Sequence, residues 1–81
     1  MNICEFVKTI TEELVSEGAV VNVSALDEVD GRVTINIEAP KEERGKIIGK
    51  RGGNLGSLRN LVVAKAAANG DNRYYIMKVL D

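Results

Sequence analysis

The residues best suited to a chemical role in this chain are two glycines that enclose two cationic residues, in the order Gly49-Lys50-Arg51-Gly52. Glycine adopts backbone angles that other residues avoid, and because it has no Cβ it lets another backbone approach closely. Lys50 and Arg51 place two positive charges on such a turn. A tight and uncluttered cationic turn is suited to binding the phosphodiester backbone of a nucleic acid, although two glycines could also serve only to join two helices.

The residues that follow and precede this turn extend the same chemistry. Gly53 and Asn54 lie where the next helix is expected to begin, and unpaired backbone N–H groups at a helix start carry a partial positive charge that suits a phosphate. Ile48 and Leu55 flank the turn with apolar side chains on which bases could rest. Arg59 lies one helical turn after Leu55, where it either flanks the same groove or is a solvated surface residue.

Charge is unevenly distributed along the chain, although the net charge is only −1. Residues 1–40 carry two cations and eight anions, residues 41–65 carry seven cations and two anions, and residues 66–81 are balanced. The basic segment is centred on the glycine turn, and Lys46, one helical turn earlier, adds to the positive field. One face of an otherwise acidic protein is therefore predicted to receive a polyanion.

The composition gives little support to catalysis or metal binding. The chain has no histidine and a single cysteine, Cys4, so a zinc site is disfavoured and an internal disulfide is excluded. No serine lies in a recognisable nucleophile context, and the paired glutamates are adjacent residues, which do not face each other on a helix. We therefore predict no metal, no cofactor and no enzymatic activity.

The segment from Gly45 to Lys50 superficially resembles a phosphate-binding P-loop, but it departs from that motif in three ways. Three residues rather than four separate Gly45 from Gly49. Arg51 stands where a serine or threonine would bind magnesium, and a helix rather than a strand is predicted to precede the loop. A nucleotide hydrolase is therefore disfavoured.

Length and composition indicate one small globular domain over residues 1–81. Hydrophobic residues make up 44% of the chain and charged residues 28%, which is an ordinary mixture for a folded protein with a modest core. No apolar run approaches the length of a membrane span, and the N-terminus lacks the features of a signal peptide. We expect a cytoplasmic protein without membrane association.

The hydrophobic pattern predicts six elements, which position the glycine turn. They are, in order, a helix over residues 3–17, strands over 20–26 and 33–38, a short helix over 40–48, a longer helix ending at Asn69-Gly70, and a strand over 73–80. The first two strands are separated by a short Asp-Gly turn and should pair antiparallel. The last two strands flank a pair of helices, and such a crossover favours parallel neighbours.

This α-β-β-α-α-β order predicts an α+β fold with a three-stranded mixed sheet and helices packed on one face. Ile47 and Leu58 are expected to be mainly core residues. Tyr74 and Tyr75 are adjacent in a strand and point to opposite faces, so at most one of them can face the helices.

The same order of elements, with Gly49-Lys50-Arg51-Gly52 between the second and third helices, resembles the type II KH domain over almost the whole chain. The chain is most similar to the small bacterial RNA-binding KH-domain protein A family. Two glycines at this spacing are a weak signal alone, but the preceding isoleucines, the following Leu55 and three strands in the right order make the likeness specific. The resemblance implies a type II KH fold that holds about four nucleotides of single-stranded RNA.

In KH domains the second wall of the RNA groove is the strand after these helices, here residues 73–79. The implied RNA-binding residues cluster around the turn. They are Lys46, Ile48, Gly49, Lys50, Arg51, Gly52, Gly53, Asn54, Leu55 and Arg59. Aromatic residues make up only 4% of the chain, too few for the stacking platform of an RRM or an OB-fold, so base contacts are predicted to be aliphatic.

The resemblance also implies a biological setting. It points to an RNA chaperone or post-transcriptional regulator linked to cell division, cell-wall synthesis and cell shape. It further implies a homodimer, or a heterodimer with a larger, Jag-like KH-containing protein. The alternative is a protein-interaction adaptor with weak or no RNA binding of its own, which the acidic first half favours; a ribosome-associated role is a narrower alternative within the RNA class.

Overall fold

The first helix begins at a reciprocal cap and ends earlier than its hydrophobic pattern predicts. The computed structural model describes all 81 residues and places α1 at Ile3–Leu14. The Asn2 side chain accepts a hydrogen bond from the Glu5 N–H at 2.8 Å, and the Glu5 carboxylate accepts one from the Asn2 N–H at 3.2 Å. This is a capping box. The prediction that the helix reaches residue 17 was wrong, because the backbone at Val15 is extended.

Three strands form one mixed sheet in the order β1-β2-β3. β1 (Asn22–Asp27) and β2 (Arg32–Glu38) pair antiparallel around a turn that contains Gly31, whose φ is +84°. β3 (Tyr74–Val79) pairs parallel with β2. The predicted hairpin and the predicted parallel crossover are both confirmed.

The remaining two helices fill the crossover between β2 and β3. A single 3₁₀ turn over Lys41–Glu43 leads into the short helix α2 (Arg44–Ile48). A second 3₁₀ turn, Lys50–Gly52, leads into the long helix α3 (Gly53–Ala68). The α-β-β-α-α-β order of the α+β fold is therefore confirmed.

The hydrophobic core lies between the sheet and the helices. Alternate residues of β2, namely Val33, Ile35 and Ile37, are at most 2% exposed. Their partners in the core come from every helix: Val7 from α1, Ile47 from α2, and Leu58, Val62 and Ala66 from α3. Each fully buried side chain of this size contributes about 1.5–3 kcal/mol relative to an exposed one. Because α2 is anchored at Ile47 and α3 at Leu58, the turn between them is held at a fixed place.

The two adjacent tyrosines of β3 lie on opposite faces, as predicted. Tyr75 is 2% exposed and belongs to the core, whereas Tyr74 is 58% exposed. None of the helices combines the length and the apolar character that crossing a bilayer requires.

Candidate functional site

The turn between α2 and α3 is shaped by a close approach at Gly49. The backbone there has φ 75° and ψ 174°, which ends α2. A Cβ at this position would lie 2.8 Å from the main-chain nitrogen of Asn54 and 2.7 Å from its side chain. The Asn54 side chain in turn donates a hydrogen bond of 2.8 Å to the carbonyl oxygen of Lys46. Asn54 therefore caps α2 from the start of α3, and only glycine fits beneath it.

The other half of the turn is left-handed. Arg51 has φ 56° and Gly52 has φ 73°, and Arg51 is the only non-glycine residue in the chain with a positive φ. Such a conformation is unfavourable for a residue with a Cβ and persists where the surrounding structure enforces it. It is enforced here by short-range hydrogen bonds: the Gly52 N–H donates to the Gly49 carbonyl and the Gly53 N–H donates to the Lys50 carbonyl.

These hydrogen bonds correct one prediction about the backbone. The Gly53 N–H was expected to be unpaired, but it is bonded within the turn. Because the backbone is left-handed at Arg51 and Gly52, regular helical geometry begins only at Gly53, and the first N–H of α3 is already used within the turn. The positive charge of the turn therefore comes mainly from the side chains of Lys50 and Arg51.

The two cationic side chains of the turn are free, whereas that of Lys46 is not. Lys50 and Arg51 are exposed, and no hydrogen bond or ion pair involves either side chain. The Lys46 ammonium lies 2.7 Å from the Ser16 hydroxyl and 3.1 Å from the Glu43 carboxylate. The structure thus turns Lys46 toward the end of α1, where its charge is neutralised, and away from the two free cations.

Glu43 is the centre of this contact and fixes α2 against α1. Glu43 is only 7% exposed, and its carboxylate accepts hydrogen bonds from the Ser16 N–H at 2.7 Å and the Ser16 hydroxyl at 3.1 Å. The Ser16 N–H, and after it the Lys46 ammonium, hold the pKa of the Glu43 carboxyl below its ordinary value. The charged form of Glu43 is therefore part of the native structure at neutral pH.

A groove of about 280 Å³ begins at the Gly49–Gly52 turn and runs between α3 and β3. One wall is the first part of α3, and the other is β3, the strand that the resemblance implies as the second wall. The lining residues are Gly52, Leu55, Gly56, Arg59, Tyr74, Tyr75, Ile76 and Met77. Most of them are apolar, and the free cations of the turn stand at the end marked by Gly52.

The edge of β3 that faces the groove carries main-chain groups that are not paired with another strand. β3 pairs only with β2, so its other edge faces the groove. The Tyr75 carbonyl points to that edge, because it accepts a hydrogen bond of 2.7 Å from the Arg59 Nε on the opposite wall. Since alternate residues of a strand direct their N–H and C=O groups to the same edge, Met77 also presents its main-chain groups to the groove.

Arg59 lies inside the groove rather than beside it. In addition to its bond to Tyr75, its guanidinium lies 4.8 Å from the centre of the Tyr74 ring. Of the two alternatives for Arg59, a groove residue or a solvated surface residue, the structure supports the first.

Ile48 does not line this groove, in contrast to the expectation that it forms an apolar wall with Leu55. Adjacent residues of a helix point about 100° apart, and the core takes Ile47, so Ile48 is directed outward and is 37% exposed. The apolar wall is formed instead by Leu55 with Ile76 and Met77.

Sequence reasoning also missed Gly56 as a groove residue, and it included Tyr74 only as part of the strand of residues 73–79. Gly56 precedes Arg59 by three positions and therefore shares its helix face, which is the signal that would have identified it.

A three-stranded mixed sheet, three helices on one face, and a glycine-bounded turn that opens into a groove beside the last strand define a type II KH domain. The family described as KhpA/KhpB, KH domain, matches residues 4–79, and the chain belongs to this family. Membership implies RNA binding and a module without catalytic activity.

The fold is also similar to a crystal structure of Era from Aquifex aeolicus bound to GDP.AlF4-. The TM-score is 0.56 at 18% sequence identity, and the match covers 96% of this chain but only 30% of the Era chain. It therefore relates the fold of this chain to one part of a larger protein. No curated protein sequence matches the chain significantly.

Proposed function

We propose that this protein binds single-stranded RNA, without catalysis, through the turn Gly49–Gly52 and the groove between α3 and β3. The observation that carries the proposal is the placement of two exposed, unpaired cations, Lys50 and Arg51, at the open end of an apolar groove. The family to which the chain belongs supports it.

In this proposal the turn and the groove contact different parts of the RNA. Lys50 and Arg51 neutralise phosphates with their side chains. The bases rest on Leu55, Ile76 and Met77, and their polar edges meet the main chain of β3. An unpaired strand is required, because only unpaired bases can be laid into a groove in this way.

The other residues named from the sequence support the site in different ways. Gly49 and Gly52 give the turn its shape, and Asn54 locks it against α2. Lys46 and Ile48 stand outside the groove, so we assign them a smaller contribution.

We further propose that the protein acts as an RNA chaperone or post-transcriptional regulator linked to cell division and cell shape. The only support for this role is that the chain belongs to the KhpA/KhpB family. A homodimer, or a heterodimer with a larger KhpB-type protein, has a physical motive, because one groove of about four nucleotides binds weakly and two linked grooves gain avidity.

A second candidate function is that of a protein-interaction adaptor. Residues 1–40 carry eight anions against two cations, and the surface between α1 and α3 has a separate apolar groove of about 140 Å³. Its apolar lining comes from Ile10, Leu14, Leu58 and Leu61. An adaptor would use this acidic and apolar side and would leave the cationic turn unused.

Binding of short single-stranded RNA, measured by fluorescence anisotropy over a range of salt concentrations, separates the two candidates. Affinity should fall with salt at about −0.7 log units per phosphate contact for each log unit of salt. The Lys50→Asp/Arg51→Asp variant should lose more than about tenfold in affinity. Aspartate tolerates the left-handed backbone of Arg51 better than most residues, so the melting temperature should barely change. Lys8→Glu/Lys41→Glu, with the same change in net charge at exposed positions that line neither groove, is the matched control.

A steric variant tests the groove separately from the charges. Gly56 lies on the groove wall, and a Cβ there meets nothing within 4 Å, so Gly56→Leu should fill the groove without strain in α3. RNA affinity should fall, while stability should rise because leucine favours a helix more than glycine by nearly 1 kcal/mol. Ala64→Leu, at an exposed position of α3 outside both grooves, is the control. Normal RNA binding by both the charge and the steric variants would refute the site, and a wild-type protein that binds a protein partner but no RNA would favour the adaptor.

A further inference from the structure

Tyr74 is an aromatic residue of the groove that remains more exposed than buried. It is 58% exposed, although the Arg59 guanidinium lies over one side of the ring at 4.8 Å from its centre. The other aromatic residues are engaged elsewhere: Tyr75 is buried in the core, and Phe6 packs against the core beneath the Lys65 ammonium. A planar ligand in the groove therefore finds its aromatic contact at Tyr74.

Arg59 holds this ring from one side and is itself held in place. Its Nε donates a hydrogen bond to the Tyr75 carbonyl, so the guanidinium is fixed between the main chain of β3 and the Tyr74 ring. A guanidinium over an aromatic face is an attractive contact that favours one ring orientation. The same hydrogen bond occupies the Tyr75 carbonyl, so this part of the groove offers a flat aromatic surface instead of a free main-chain acceptor.

We propose that Tyr74, braced by Arg59, is a stacking site for one nucleobase of the bound strand. The proposal rests on the proposed RNA-binding function and adds a contact that the low aromatic content did not predict. Arg59 lies seven positions after Gly52, which is a rise of about 10 Å along a helix. That distance corresponds to about three steps of a stacked strand at ~3.4 Å per nucleotide. The phosphate at the turn and the base on Tyr74 thus belong to different nucleotides of one short RNA.

Stacking on a tyrosine requires that the ligand contain a base. Every base has an aromatic face, so the site accepts any base, but it gives nothing to a sugar–phosphate chain without bases. The cations of the turn behave in the opposite way, because they contact phosphates and do not sense the bases. The two contributions can therefore be separated by the choice of ligand.

The test compares hexaadenylate with an abasic hexamer of the same charge. Tyr74→Ile removes the ring but keeps a residue that favours a strand. This variant should bind hexaadenylate about five- to a hundredfold more weakly, which is the range expected for the loss of one stacked base. Its affinity for the abasic hexamer should not change. Tyr74→Phe should bind both ligands as the wild type does. The Lys50→Asp/Arg51→Asp variant should weaken both ligands.

A spectroscopic measurement reports the stack directly. The chain has no tryptophan, so Tyr74→Trp introduces a single reporter in the groove. Its fluorescence should be quenched by hexaadenylate and not by the abasic hexamer. Val29→Trp, at a fully exposed position of the β1–β2 turn, is the control and should respond to neither ligand.

The outcomes distinguish this inference from the function on which it rests. If Tyr74→Ile binds hexaadenylate normally while the Lys50→Asp/Arg51→Asp variant does not, the stacking site is refuted and RNA binding at the turn stands. If Tyr74→Ile weakens both ligands equally, Tyr74 acts through structure or charge and the inference is again refuted. If the folded wild-type protein binds neither ligand, both proposals fail.

Discussion

At the scale of single residues, the two glycines of the turn share a positive φ but differ in how closely they are packed. Gly49 lies so close to Asn54 that an added Cβ would overlap the main-chain nitrogen, which cannot move without shifting the start of α3. Gly52 has open space around it and is needed for its φ of +73°. Gly52 is therefore limited by backbone conformation alone, whereas Gly49, whose φ is +75°, is limited by the contact in addition to its conformation.

This difference predicts an order of stability among three glycine-to-alanine variants. Gly52→Ala should lower the free energy of unfolding by about 1–2 kcal/mol, the cost of a left-handed residue with a Cβ. Gly49→Ala should cost more, because the clash adds about 1–3 kcal/mol to a similar conformational cost. Gly45→Ala, in α2 with no neighbour within 4 Å, should instead stabilise the protein by up to about 1 kcal/mol. Urea denaturation measures all three, and equal losses at Gly49 and Gly52 would show that the Asn54 contact is not limiting.

The residues of the turn could be identified from the sequence, but the partners of their neighbours could not. Gly49, Lys50, Arg51 and Gly52 carry their chemistry in a local pattern. Lys46 looked equally cationic, yet its ammonium is bonded to Ser16, which lies 30 positions earlier in the chain. A contact between residues so far apart in sequence depends on how α1 and α2 pack, and no local pattern encodes it.

At the scale of the elements, the Glu43 carboxylate joins the end of α1 to the start of α2. The Ser16 N–H donates to this carboxylate, and the chain turns away from helical geometry at Val15 for that contact. The same contact explains why α1 stops at Leu14 although its pattern predicts three further residues. Since α2 carries the turn at its other end, this clamp helps to fix where the turn stands.

The clamp predicts how stability depends on pH. Because the pKa of Glu43 is lower in the folded state than its ordinary value of 4.5, protonation favours unfolding. The contribution of Glu43 is complete above about pH 5 and is lost as the pH falls through the lowered folded-state value. Glu43→Gln should therefore melt below the wild type by a few degrees at pH 7, and the two melting temperatures should converge toward pH 3.

Thermal unfolding followed by circular dichroism between pH 3 and pH 7 checks this expectation. The pKa of Asp71 is also lowered in the folded protein, mainly by its hydrogen bond from Arg73. The melting temperatures of both proteins should therefore still fall with pH at low pH. Glu42→Gln is the matched control, because the Glu42 side chain forms no hydrogen bond or ion pair. A constant difference between wild type and Glu43→Gln across this range would mean that the charge of Glu43 is not what holds the two helices.

The pairing of the strands could be read from the sequence more reliably than the groove they help to form. Alternation in β2 and the short turn before it specify a hairpin, and a helix pair before β3 specifies a parallel neighbour. The groove depends instead on the gap between α3 and β3. Gly56 widens that gap by lacking a side chain, and the sequence pattern does not identify this role because it depends on how α3 packs beside β3.

At the scale of the whole molecule, the charge asymmetry acts over a distance comparable with the size of the protein. The molecule measures 34 × 22 × 22 Å, whereas electrostatic fields decay over about 30 Å at 0.01 M salt and about 8 Å at 0.15 M. The acidic first half thus repels a polyanion from any part of the molecule in dilute salt, and only from its own vicinity at physiological salt. The sequence shows this separation of charge directly, since it needs only the positions of the charged residues.

This comparison of lengths predicts the effect of removing charge from the acidic side. Glu12, Glu13 and Glu17 are exposed near the end of α1. Changing all three to glutamine should raise RNA affinity severalfold at 0.01 M salt and leave it unchanged above 0.15 M, because the repulsion is screened there. At physiological salt and above, the slope of log affinity against log salt should equal that of the wild type, since no phosphate contact is gained or lost. Anisotropy titrations in salt measure both quantities, and a gain that persisted at 0.5 M would mean that the RNA touches α1 and that the binding surface extends beyond the groove.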